Sequence, residues 1–161
     1  MSKFAVMEDK IEIMELNGGE TMNISFIENN VPAGFPSPAQ DQNSDSLDLN
    51  RELINSPSST FCARVSGDSM IDCGINDGDL LIIDKALVPH DGSIAVCFID
   101  GDFTVKRISI KEDGLYLMPE NRSYKPIKVS EESNFQVWGI VTHIIKDIQR
   151  VAVCLSFIFV L

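Results

Sequence analysis

SIAVCFIDGDFTVKRISIKEDGLYLM, residues 93–118, consists of three apolar runs rich in branched side chains, separated by the Asp-Gly pairs 100–101 and 113–114. Asp-Gly between apolar runs is a strong short-range hairpin signal, because both central positions of a type I′ turn require positive φ. The run LLIID, residues 80–84, and further Asp-Gly pairs at 77–78 and 91–92 extend the pattern upstream. Such runs predict a compact, mainly β domain of short antiparallel strands. Within FTVKRISI, alternation puts Phe103 and Val105 on one face and Thr104, Lys106 and Ile108 on the other. If the Phe103 face is the core, Lys106 is an ordinary solvent-facing residue. If the Thr104 face is the core, an ammonium is buried, which is costly and needs a reason. The pattern alone leaves both open.

The 161 residues suit one domain with an arm and can bury a sizeable core. A surplus of 24 acidic over 13 basic side chains gives a net charge of −11, which repels phosphate. Direct nucleic-acid binding is therefore not expected, and proteins are the expected partners. Cys62, Cys73, Cys97 and Cys154 form no CxxC pair and His90 and His143 are far apart, so no metal and no cofactor is expected. Thiols in or beside apolar runs behave as small hydrophobes and fit a reducing compartment. The opening MSKFAVMEDKIEIMEL carries acids where a secretory signal needs an uncharged core, so a cytoplasmic location is expected.

Residues 1–33 show apolar alternation at Ile11 and Ile13 and again at Met22, Ile24 and Phe26, on either side of Asn17-Gly18-Gly19. Short strands or an extended N-terminal arm are predicted there, and the paired helical periods of a helix-turn-helix are missing. VPAGFPSPAQDQNSDS, residues 31–46, carries three prolines and a polar tail and reads as linker or exposed loop. Asp48 is placed to cap one short helix in which Leu49 and Leu53 stack at i and i+4 beside Ile54, ended before Pro57. The chain thus divides into an arm (1–33), a linker with a short helix (34–60), a β domain (61–150) and a charge-free tail, VAVCLSFIFVL (151–161). Eleven residues are too few to cross a bilayer, which takes about 20, so no transmembrane span is expected.

VSGDSMIDCGINDGDLLIID, residues 65–84, sets Ser69 in a turn of Gly and Asp. A surface turn is the simplest reading, since these residues dominate turns for conformational reasons. A serine becomes a nucleophile only when a neighbouring base can take its proton. A histidine base in a GxSxG elbow fails, because Ile71 stands where the last glycine belongs. A lysine can serve if burial keeps it neutral, at a cost of about 1.4 kcal/mol per pKa unit, and Ser/Lys dyads are a known variant of the triad.

SGDSMIDCGINDGDLLIID, DGDFTVKRI and NFQVWGIVTHIIK, with AGFPSPAQD and LDLNRELI upstream and LMPENRSYKPI between, closely resemble the self-cleaving UmuD family, relatives of the catalytic domain of the LexA repressor. The resemblance covers about residues 31–147. It implies a LexA/UmuD-like β domain with Ser69 of GDSM as nucleophile and Lys106 of FTVKRI as general base. It also implies self-cleavage of the bond from Ala33 to Gly34, just before FPSPA. Backbone N–H groups of Asp68 and Ser69 are the expected oxyanion donors if residues 70–73 begin a helical turn. The partners it implies are a second copy in a homodimer, a RecA filament on single-stranded DNA that stimulates cleavage, and a UmuC-like Y-family translesion DNA polymerase of the SOS response. The alternative is a LexA-type or phage repressor fragment lacking its DNA-binding head. A signal peptidase would need a membrane anchor before its serine, and a purely structural β module would not account for both dyad segments. Similar proteins end near Arg150, so the tail departs from the family and no catalytic role is expected of it.

The remaining chemistry-bearing residues read as structural. His90 and His143 are expected to be structural, Trp138 to be core, and Cys62, Cys73 and Cys97 to be buried thiols. Asp72, Asp77 and Asp79 do not match a calcium loop, because Ile75 stands where an acid or amide is needed, and they read as turn formers.

Overall fold

The computed structural model of the protein describes residues 12–15, 23–27 and 44–149. Its principal feature is an eight-stranded antiparallel sheet in the order β1-β4-β5-β10-β6-β7-β8-β9, with β2 and β3 forming a separate two-stranded sheet. The strands are β1 (Glu12–Glu15), β2 (Asn23–Ile27), β3 (Ser44–Asp48), β4 (Thr60–Arg64), β5 (Leu80–Asp84) and β6 (Ile94–Ile99). They continue with β7 (Asp102–Lys111), β8 (Gly114–Met118), β9 (Ile127–Lys128) and β10 (Phe135–Ile145). The mainly β reading of the sequence therefore holds, with α1 (Leu49–Leu53) as the one α-helix among the described residues. The Asp48 carboxylate caps α1 by accepting from the amides of Asn50 (3.0 Å) and Arg51 (3.4 Å).

Of the four Asp-Gly pairs, Asp100-Gly101 makes the expected turn, with φ of 52° and 107° and the partners Ile99 and Asp102 on either side. At 113–114 the β7/β8 hairpin is shifted: Lys111 pairs with Gly114, so Glu112 and Asp113 occupy the turn. The pairs at 77–78 and 91–92 are not two-residue hairpin turns. The first ends the long loop between the antiparallel neighbours β4 and β5, and the second precedes β6, which β10 separates from β5. The segment 31–46, read as linker, also needs correcting at its end, since Ser44–Asp48 pairs with β2 residue for residue from Asn23↔Asp48 to Ile27↔Ser44.

Both faces of the sheet are covered, and this resolves the ambiguity over β7. On one face Ala63, Val65, Met70, Ile75, Leu81, Ile83, Val96 and Val105 form a core, with Phe103 and Trp138 packed against it. On the other, Ala95, Cys97, Ile108 and Leu117 form a second core. Thr104, Lys106 and Ile108 are buried, so the reading with this face inward holds, and Val105 on the opposite face is buried as well. Trp138 lies between Phe61 and Phe103, with ring centroids 5.1 and 5.8 Å away.

β10, at the centre of the sheet, has register shifts at Val137/Gly139 against β6 and at Val141/His143 against β5. Gly139 lies at the first of them. A Cβ there would stand 2.6 Å from Ile83 Cγ2, so the close approach of β10 to β5 requires glycine.

Candidate active site

β7 is ten residues long and divides its partners. Residues 102–107 pair with β6, whereas β8 covers only 107–111, its ladder starting at Arg107↔Met118. Lys106 thus lies where β8 has already ended. There the loop 66–79 crosses between β4 and β5 and brings Ser69 to the lysine. Lys106 Nζ stands 2.8 Å from Ser69 Oγ, 2.8 Å from Thr104 Oγ1 and 3.0 Å from the Val105 carbonyl oxygen. Ser69 is 4% exposed and Lys106 5% exposed, so the contact lies below the surface. At that depth an ammonium loses solvation and the neutral amine is favoured by burial. Cross-strand from this pair are Ala95, opposite Lys106, and Cys97, opposite Thr104. Burial pushes the Cys97 thiol up to about 12, against a smaller opposing pull from Lys106.

The serine loop is held by backbone geometry. Met70, Ile71 and Asp68 carbonyls accept from Cys73, Gly74 and Ile71 amides respectively at 3.3, 2.9 and 3.2 Å, forming the 3₁₀ turn Ile71–Cys73, which ends on Gly74 at φ 84°. The condition for oxyanion donors near Ser69, a helical turn starting just after it, is met. A second loop, residues 119–124 after β8, brackets the first. The Glu120 amide donates to the Ser69 carbonyl (2.9 Å), and the Glu120 carbonyl accepts from the Asp72 amide (2.7 Å). Asn121 Nδ2 donates to the Asp68 carbonyl (3.0 Å), and the Tyr124 hydroxyl donates to Asp68 Oδ1 (2.5 Å).

With that geometry in place, the Peptidase S24-like family matches residues 25–142, which includes both Ser69 and Lys106. The chain belongs to the peptidase S24 family. S24 proteins are serine peptidases, and the relatives of this S24 chain include UmuD-family proteins. Protein MucA of Salmonella typhimurium is 38% identical over 136 residues, 83% of this chain and 92% of MucA. Protein SamA of Salmonella typhimurium strain LT2 is 46% identical over 111 residues, 69% of this chain and 76% of SamA. The LexA repressor of Stenotrophomonas maltophilia is 40% identical over 110 residues, 68% of this chain and 52% of the repressor.

Among the site residues expected from sequence, the fold brings together Ser69 and Lys106. Ala33, Gly34, Cys154 and the tail 151–161 lie outside the described residues. The histidines stand apart from the S24 site: His90 Nδ1 lies 2.9 Å from the Asp91 carbonyl oxygen and His143 Nδ1 lies 3.1 Å from Thr142 Oγ1. Asp77 and Asp79 are turn formers, as read. Asp77 accepts from the Gly67 amide (2.8 Å), and buried Asp79 accepts from the Asn76 amide (2.8 Å) and from Lys146 Nζ. Cys62 and Cys97 are buried; Cys73 is half-buried, its thiol donating to the Met70 carbonyl (3.0 Å). No helix among the described residues is long and apolar enough to cross a membrane.

Sequence reasoning gave no role to Thr104, Glu120 or Tyr124. The alternation of β7 already placed Thr104 on the face of Lys106, two residues away, and that signal could have marked it. Nothing local marks Glu120, whose contacts with the segment 69–72 are made by its backbone.

Proposed function

We propose that the protein is a self-cleaving serine peptidase of the SOS response, in which Ser69 and Lys106 cut the bond from Ala33 to Gly34 and release the arm 1–33. The observation that carries this reading is the 2.8 Å contact between two buried groups, Lys106 Nζ and Ser69 Oγ, in an S24 chain. Neutral Lys106 takes the hydroxyl proton as Ser69 Oγ attacks the Ala33 carbonyl carbon. Amides at Asp68 and Ser69 stabilise the oxyanion. As the tetrahedral intermediate collapses, the C–N bond breaks and the Gly34 nitrogen leaves with the proton carried by Lys106. Water, deprotonated by the same amine, hydrolyses the ester and restores the serine. Because the scissile segment belongs to the same chain, no bimolecular encounter is needed when a subunit cuts its own arm.

The UmuD kinship extends the proposal to partners. A RecA filament on single-stranded DNA favours the conformation in which the scissile segment reaches Ser69, and the trimmed protein, a homodimer, serves a UmuC-like Y-family translesion polymerase. Incubation of the purified protein with activated RecA filaments, followed by N-terminal sequencing of the product, tests it. Gly34 is expected as the first residue; any other new terminus refutes the assigned bond, and a Ser69→Ala variant that is still processed refutes the nucleophile.

A further inference from the structure

Lys106 and Arg107 are consecutive on β7 and therefore point to opposite faces, yet both end at the serine loop. Lys106 reaches it directly. Arg107 reaches it through Glu120: its Nε donates to Glu120 Oε1, while its Nη1 donates to the Gly92 carbonyl at 2.8 Å. Glu120 in turn holds both ends of the segment 69–72, donating from its amide to the Ser69 carbonyl and accepting at its carbonyl from the Asp72 amide. The contacts close a ring from Lys106 along the chain to Arg107, across the ion pair to Glu120, back through the peptide to Ser69, and across 2.8 Å to Lys106.

We propose that Arg107 and Glu120 form a positioning clamp that fixes Ser69 at proton-transfer distance from Lys106. This deepens the dyad reading and rests on it. The ring has few soft joints. One side is the rigid β7 backbone, and Arg107 holds a carboxylate and a carbonyl at once through a planar fork whose donor directions are fixed. Without the ion pair the loop 119–124 keeps its place by single hydrogen bonds, three to or from backbone groups and one from Tyr124 to the Asp68 carboxylate. A displacement of even 1 Å at Ser69 breaks the 2.8 Å contact. The ion pair is about one-third exposed on each side, 34% and 29%, so its role lies in geometry more than in stability.

The test follows self-processing of the full-length protein from pH 7 to pH 10.5 in wild type, Lys106→Ala, Arg107→Gln, Glu120→Gln and the double Gln variant, each well below its melting midpoint. Both single Gln variants should be slower by about tenfold or more, in the same direction and across the whole pH range. The double variant should be no slower than the slower single, because one clamp is lost either way. If the pair acts only by tuning the charge at Lys106, the two variants move in opposite directions below the plateau: Arg107→Gln slower, Glu120→Gln faster. That result, or wild-type rates in a folded Arg107→Gln, overturns the clamp. Should the Gln variants lack a cooperative melt, Glu120→Asp decides, since it keeps the charge and shortens the reach by one methylene; wild-type processing there overturns the proposal. A Lys106→Ala variant that cleaves like wild type removes the dyad reading instead, so the two failures are distinct.

Discussion

Replacing Lys106 by methionine separates catalysis from folding. Methionine is unbranched and close to lysine in length, so it fills the same space between Ala95, Ile108 and the serine loop with little repacking. Three hydrogen bonds at Nζ are lost, to Ser69 Oγ, Thr104 Oγ1 and the Val105 carbonyl. At about 0.5–1.5 kcal/mol each, their loss is worth roughly 1.5–4.5 kcal/mol. Against this, the buried neutral amine no longer has to be desolvated, a cost of about 1–3 kcal/mol for a polar group. The two terms are similar in size and opposite in sign, so the melting midpoint should move by only a few degrees. Catalysis has no such offset. A general base contributes about 10²–10⁴-fold, or roughly 3–5 kcal/mol of barrier at 1.36 kcal/mol per decade. Mass spectrometry of intact and trimmed chain over time, alongside a thermal melt, gives both numbers from one preparation. Lys106→Met processing within threefold of wild type, with Ser69→Ala silent, would refute the reasoning: the serine would then have another base.

Thr104→Val keeps the shape of the side chain and removes the hydroxyl 2.8 Å from Lys106 Nζ, so processing should slow by roughly three- to tenfold with the fold retained; an unchanged rate would show that Thr104 does not orient the amine. Cys97 should stay unalkylated at pH 8 in the folded protein. Its thiol is raised from 9.0 to about 12, so the native state keeps a proton that the unfolded chain releases, and the associated stability is complete below about pH 9 and lost as pH rises towards 12. That loss amounts to about 4 kcal/mol in full, and Cys97→Ala should flatten the alkaline fall in denaturant midpoint; an identical slope in both proteins contradicts it. Gly139→Ala should lower stability by about 1–3 kcal/mol, because its Cβ would meet Ile83 Cγ2 at 2.6 Å; a melt matching wild type would mean that β10 can move aside.

How much of this was legible depended on whether the signal was local. The Asp100-Gly101 turn, the runs flanking it and the Asp48 cap are short-range chemistry, and each formed where the residues indicated. The same Asp-Gly pair at 77–78 and 91–92 misled as a hairpin marker because positive φ at the glycine also serves ordinary strand entries. β10 gave no clean period of two: it is central, it sends side chains to both cores, and its two bulges reset the alternation. For the same reason no single-core reading of β7 could decide which way Lys106 points. The contact between Ser69 and Lys106 joins residues 37 apart, and the Asp68 to Tyr124 bond joins residues 56 apart. Such distances leave no trace in a window of sequence; resemblance to a family carried that part.

The local and distant features meet in the register of one hairpin. β7 carries two adjacent basic residues, and pleating sends Lys106 to the serine side and Arg107 to the side of Glu120. Only the lysine can act as a base, since a guanidinium keeps its proton in proteins. A slip of one residue would exchange the faces and put Arg107 against Ser69, a charged group with no proton-accepting form. What forbids the slip is the two-residue turn, whose positive φ at Asp100 and Gly101 ties Ile99 to Asp102, together with the cross-strand pair Phe98 and Phe103, their rings 5.2 Å apart. Each further rung follows from these, down to Ala95 opposite Lys106. The Asp-Gly dipeptide is therefore part of the proposed chemistry as well as of the fold, because it selects which of two neighbouring basic side chains enters the buried site.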